Sequence, residues 1–139
     1  MNINSIFNLF NNENNDDEAS LLVDFSEHPL FWISGFNKVI SNHVFFKQYT
    51  VKTFQSISPD INIEELEKAG EDLMFRKAWN YIKNFDLDKP FHVECLKLKA
   101  DDIMVHNLQI AIQFFELLEE YEKCALLKNI EDKVKEFLK

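Results

Sequence analysis

The sequence predicts an all-α protein, built as two stacked α-hairpins with an N-terminal helical cap and a disordered, acidic and Asn-rich N-terminal linker. Apolar residues recur at helical spacing through most of residues 28–138. Helix-capping residues stand where these patterns begin. The segments 44–54 and 91–98 contain β-branched and aromatic residues that could form either strand or helix. Because each would have only the other as a strand partner, we favour helix for both.

The length of 139 residues fits one domain with a real core. We expect residues 21–139 to form this single helical domain. Residues 1–20 comprise a short apolar peptide and a flexible linker, because residues 11–20 contain only Ala19 as an apolar side chain. Gly35 and Gly70 are the only glycines, which excludes glycine-rich phosphate-binding loops.

The first two predicted helices begin at recognisable signals. Pro29 suits the first turn of a helix whose apolar face holds Trp32, Phe36, Val39, Ile40 and His43. Asn62 is a good N-cap, and a helix runs from it to about residue 84. Because residues 73–85 are apolar on nearly all sides, we expect this segment, with Trp79, to be the centre of the fold.

A shorter third helix is predicted after it. This helix places Phe91, Cys95 and Leu98 on one face.

The last hairpin is predicted at about residues 102–138, after an N-cap at Asp101. Its first helix has an apolar stripe of Ile103, Ile110, Phe114, Leu117, Leu118 and Tyr121. Its second has a stripe of Cys124, Leu127, Ile130, Val134, Phe137 and Leu138. In one continuous helix the two stripes would lie about 190° apart, so we place a break near residues 119–121. The stripes then face each other, and Tyr121 and Cys124 should be buried at the crossing.

Part of this hairpin resembles known interaction modules. Ala111, Phe115 and the segment 120–125 resemble the middle of a tetratricopeptide repeat. With Leu127 to Ile130, the stretch is also similar to the hairpin at the carboxy-terminus of UvrB-type proteins. Both resemblances imply contacts with other proteins and a helix crossing formed by Phe115, Tyr121 and Cys124.

Charge and composition indicate which partners, which cell compartment and which source to expect for the protein. The net charge is −9, and six acidic residues but no Lys or Arg precede Lys38, which disfavours direct binding to nucleic acid. No apolar run is long enough to span a membrane, and no signal peptide is recognisable. With only Cys95 and Cys124, we expect a reduced, cytoplasmic protein. Fourteen Lys against one Arg, with abundant Asn and Ile, indicate AT-rich codons of a bacterium or its phage.

The N-terminal peptide carries Ile3, Ile6, Phe7 and Phe10 at the i, i+3, i+4 and i+7 spacing of a helix that docks in a groove. Residues 5–10 also resemble the sliding-clamp-binding peptides of DNA polymerases from T-even-type phages. Such a peptide could dock on a partner or pack on its own core. We interpret residues 3–10 as a partner-docking element tethered by the acidic linker.

No set of residues makes catalysis the preferred interpretation. His92, Cys95, His106 and Cys124 could in principle gather around zinc, but none has a persuasive ligand spacing. The sequence therefore predicts a small, non-enzymatic helical adaptor that binds another protein and needs no cofactor. A phage-encoded factor or structural component is one form of it. The alternative is a small enzyme or metal-binding protein that uses those four residues.

Overall fold

A computed structural model of the protein describes residues 25–60 and 62–139. Within these residues the chain forms five helices: Pro29–Ile57 (α1), Ile63–Ile82 (α2), Pro90–Lys99 (α3), Asp102–Leu117 (α4) and Tyr121–Phe137 (α5). None of the described residues forms a strand, so the all-α prediction is confirmed, including helix at 44–54 and 91–98. The predicted apolar peptide and linker, residues 1–20, lie outside the described part of the chain.

Three helix starts follow from local chemistry, as predicted. Pro29 opens α1, and Nδ1 of His28 accepts a hydrogen bond from the Leu30 N–H at 3.1 Å. The side chain of Asn62 caps α2, and that of Asp101 accepts from the Met104 N–H at 2.7 Å to cap α4. These side chains satisfy backbone N–H groups that have no partner inside the helix.

The five helices form two antiparallel pairs with a short helix between them. α1 packs along α2, α4 packs along α5, and α3 lies against α1 and α5. This pairing differs from the expected one, in which α1 was only an N-terminal cap on two stacked hairpins. The reason is length: α1 has 29 residues and can cover all of α2, whereas α3 has only 10.

The core lies between the two pairs and includes only part of the first. Its fully buried large side chains are Phe36, Phe115, Ile33, Ile40, Ile82, Leu96, Met104, Leu108, Leu127, Ile130 and Val134. The buried part of α1 ends at Ile40, and that of α2 begins at Met74. Residues 73–85 are therefore not buried all round as expected: Leu73 is 73% exposed and Trp79 is only partly buried.

The buried face of α4 is centred one residue later than the sequence indicates. Ile103 and Leu117 are exposed, and the buried positions are Met104, Asn107, Leu108, Ala111, Ile112 and Phe115. Asn107 can be buried because its amide donates to Asn37 Oδ1 at 3.1 Å and Ser41 Oγ at 3.3 Å, which joins α4 to α1.

The buried face of α3 also differs from the predicted one. Phe91 and Leu98 are exposed, whereas Cys95 is buried as expected, with His92 and Leu96 beside it. His92 is accommodated because its Nδ1 accepts a hydrogen bond from the Asp86 N–H at 2.9 Å, so its buried polar atom has a partner.

Candidate interaction surface

The outer half of the α1–α2 pair, residues 41–73, extends beyond the core. None of the side chains described between Ile40 and Met74 is buried. This segment nevertheless exposes large apolar side chains on both helices: Val44, Phe45, Phe46, Tyr49, Phe54, Ile57, Leu66 and Leu73. Exposed apolar patches on a folded protein mark sites where other molecules bind, and four of these side chains, Phe46, Phe54, Leu66 and Leu73, line one groove.

An open groove of about 670 Å³ runs between the two helices in this region, and we call it the distal groove. Its α1 wall consists of Val39, Asn42, His43, Phe46, Lys47 and Phe54. Its α2 wall consists of Leu66, Glu67, Gly70, Leu73, Met74 and Lys77. The residues recur every three or four positions along each helix, so each helix presents one face to the groove.

Gly70 and His43 meet across the groove. A Cβ atom at Gly70 would lie 3.7 Å from Cε1 of His43, which is an ordinary contact distance, so space remains there. Burial lowers the pKa of His43, and the nearby charge of Lys47 lowers it further, against the opposing effect of Glu71 and Glu67. The imidazole is therefore mainly neutral at pH 7, so His43 adds no charge to the groove beside Lys47 and Glu67.

Lys47 links the two helices. Its Nζ lies 3.0 Å from Glu71 Oε1 and 4.0 Å from Glu67 Oε2. The hydrogen bond with Glu71 raises the pKa of Lys47. These side chains are partly exposed, and such ion pairs contribute only about 0–1 kcal/mol each. Their effect on the groove is to pair the Lys47 charge within the protein, so a ligand meets a mainly apolar surface.

The expected hairpin crossing is only partly as predicted. Phe115 and Cys124 are buried, but Tyr121 is 64% exposed, so the expectation that Tyr121 is buried is wrong. Tyr121 is the first residue of α5, and the buried face of α4 ends at Phe115. The Tyr121 ring therefore lies beyond the contact between α4 and α5 and remains exposed.

The His and Cys residues considered for zinc binding have separate surroundings. His92 is buried against Phe85 and Trp32, with ring centroids 5.3 and 5.5 Å apart, while His106 is exposed. The Cys124 thiol donates to the Ile112 carbonyl at 3.6 Å. Among residues 25–60 and 62–139, no three His, Cys, Asp or Glu side chains are placed to hold a metal ion.

Both thiols are held in their protonated form. Burial raises the pKa of Cys95, and burial likewise raises the pKa of Cys124, which the negative charge of Glu116 raises further. Because the thiolate is the nucleophile, both cysteines lack the activation that covalent catalysis requires.

The predicted docking residues Ile3, Ile6, Phe7 and Phe10 lie outside the described residues. The distal groove was not predicted. Phe46 and Phe54 line it and are exposed, and in the sequence they stand in the run of residues 44–54, which fits either strand or helix and does not by itself indicate a groove.

Comparison of the chain with protein-family models, with curated proteins and with solved structures finds no match. A membrane span requires about 20 consecutive apolar residues, and no helix in the described part of the chain meets that requirement.

Proposed function

We propose that the protein is a small helical adaptor that holds an apolar helix of another protein in the distal groove. The observation that carries the proposal is an open, mainly apolar groove on a helical pair that extends beyond the core. Phe46, Leu66 and Leu73 are exposed on its walls and contribute little to the core. Docking of an amphipathic helix in an apolar groove is a common mode of peptide recognition.

The chemistry of the other candidate residues supports binding rather than catalysis. Cys95 and Cys124 are buried and their pKa values are raised by that burial, which opposes a role as nucleophiles. The net charge of −9 favours a protein partner over nucleic acid. The resemblance of residues 111–130 to tetratricopeptide and UvrB-type hairpins supports the same class of function.

The composition and the thiols support a setting for this function. Both cysteines are unpaired, as expected in a reducing cytoplasm. The excess of Lys over Arg favours an AT-rich bacterium or a phage that infects one, so the proposed partner is a protein of that cell or phage.

Affinity capture from the source cells tests the adaptor role with a matched pair of variants. Leu73→Glu places a charge in the groove, and Leu117→Glu places one at the α4–α5 turn, at positions 73% and 85% exposed. Because both positions are on the surface, both variants should keep the melting temperature of the wild type. We expect one protein to be captured stoichiometrically by the wild type and by Leu117→Glu but lost with Leu73→Glu.

Two results would contradict the proposal. One is capture of the same proteins by all three forms, which would place the binding surface elsewhere. The other is the absence of any stoichiometric partner. Titration with the purified partner measures the loss of affinity caused by Leu73→Glu. Because this variant buries an unpaired charge in an apolar site, it should bind the partner at least about tenfold more weakly.

A further inference from the structure

We infer that residues 3–10 of the same chain occupy the distal groove when no partner is bound, and that they compete with the partner for it. The docking itself stands on the observations below. Only the competition rests on the proposed function.

The first argument is the match between the segment and the groove. Ile3, Ile6, Phe7 and Phe10 would share one face of a helix about 12 Å long. The groove extends along α1 from Val39 to Phe54, a distance of about 22 Å at the helical rise. The segment therefore fits within the groove lengthwise and presents apolar side chains to an apolar wall.

The second argument is reach. The described chain begins at Phe25, next to the start of α1, and residues 11–24 connect it to the segment. Fully extended, these residues span roughly 46 Å, and as a flexible coil they span roughly 20 Å on average. Phe46, in the middle of the groove wall, is about 26 Å along the helix from Pro29. The tether therefore holds the segment near the groove at an effective concentration in the millimolar range.

The third argument is charge. Residues 1–24 contain five acidic residues and no Lys or Arg. α1 is the reverse: it contains Lys38, Lys47 and Lys52 and no acidic residue, in a protein whose net charge is −9. Lys47 is paired with Glu71 and Glu67, so the attraction of the acidic linker to α1 comes from the exposed Lys38 and Lys52, and it favours a path of the linker along α1.

The same properties make the docked segment displaceable. A helix of eight residues is not stable alone in water, so docking must offset the cost of ordering it. A partner helix that is longer or already folded loses less free energy on being ordered. It can therefore displace the docked segment from the groove.

Nuclear magnetic resonance of the full-length protein tests the docking. We expect nuclear Overhauser contacts between the rings of Phe7 and Phe10 and the methyl groups of Leu66 and Leu73. Phe7→Ala should remove these contacts and shift the Leu73 methyl signals. Leu9→Ala is the matched control, since Leu9 lies off the anchor face, and it should preserve both. Absence of the contacts in the wild type would overturn the inference.

A mixed sample distinguishes the chain's own segment from that of a second copy. Half of the molecules carry the isotope label and half do not, so contacts between molecules can be selected. Contacts that persist in this selection would show that the segment docks on a second copy, which overturns the inference. Contacts that appear only within one molecule support it.

Partner titration separates this inference from the proposed function. If the segment fills the groove in about nine of ten molecules, Phe7→Ala should raise the affinity for the partner about tenfold, and Leu9→Ala should not. If Leu73→Glu leaves capture unchanged while the contacts are observed, the adaptor role is wrong and the docking stands. If capture depends on Leu73 but the contacts are absent, the docking is wrong and the adaptor role stands.

Discussion

The ring of Tyr81 packs directly against the backbone of α1 at Gly35, where a Cβ atom would lie only 2.5 Å from Tyr81 Cδ1. At Gly70, the other glycine, a Cβ atom would lie 3.7 Å from its nearest neighbour, Cε1 of His43. α1 and α2 therefore meet closely at the core end of the pair and leave free space at the groove.

This contrast predicts opposite effects of the same substitution. Gly70→Ala should stabilise the protein by about 0.5–1 kcal/mol, because alanine favours a helix and no atom obstructs its methyl group. Gly35→Ala should destabilise it by about 1–3 kcal/mol, because the Tyr81 ring must leave its place against α1 and Phe31. Urea unfolding measures both free energies, and two changes of the same sign would contradict the packing described.

Glu119 predicts a second stabilising change. Its φ is 59°, a left-handed conformation that favours glycine, and it ends α4 with bonds from Glu120 N to Phe115 O at 2.9 Å and from Glu119 N to Glu116 O at 3.0 Å. Glu119→Gly should raise the free energy of unfolding by about 0.5–1 kcal/mol, since it removes the strain of a Cβ atom. Glu119→Ala keeps that atom and should give no such gain. Equal effects of the two variants would show that backbone strain is not the cause.

His92 predicts a pH dependence of stability. Burial lowers its pKa in the folded protein, and the charge of Lys89 adds to this effect, outweighing the opposite effect of Asp86. The unfolded chain therefore binds the proton more readily, and stability should fall as the pH drops below about 6.5. The pKa of His43 is lowered in the same direction.

The variant His92→Asn separates the contribution of His92 from that of His43. Asparagine keeps an acceptor for the Asp86 N–H but does not titrate. The decrease in unfolding free energy between pH 7 and pH 5.5 should therefore be smaller in the variant, and its stability at pH 7 should be lower because the ring contacts with Trp32 and Phe85 are lost. An unchanged decrease would show that His92 does not titrate in the folded state as its surroundings require.

The thiols test the alternative function. Because Cys95 and Cys124 are buried and protonated, both should react with a disulfide reagent at least about 100-fold more slowly in the native protein than in urea. We also expect no stoichiometric zinc in purified protein. A fast-reacting Cys124, or one equivalent of zinc, would favour an enzyme or metal protein over the adaptor.

Features that depend on local chemistry could be predicted from the sequence. The starts of α1, α2 and α4 follow from Pro29, Asn62 and Asp101, whose effects extend over only a few residues. The break between α4 and α5 follows from the phase of two apolar stripes, although Glu119, the residue that makes the turn, is not of a type that signals it.

Features that depend on distant partners could not be predicted. The buried face of α4 could not be predicted because it contains the polar residue Asn107. The hydrogen-bond partners that allow Asn107 to be buried lie in α1, about 70 residues away in the chain. The distal groove could not be predicted from the sequence for a related reason. Its exposure depends on the pairing of α1 with α2 over a length that the other helices do not cover, and no local pattern specifies that length.

We expect the end of the core at Ile40 and Met74 to divide the protein into two levels of stability, because no side chain described between them is buried. The outer parts of α1 and α2 can unwind without exposing the residues buried between α1, α4 and α5. Backbone amides in residues 42–57 and 63–72 should then exchange with solvent deuterium through this local opening, while those near Leu108 and Ile130 should exchange only on global unfolding. A helix bound in the groove would slow exchange in the first group and leave the second nearly unchanged.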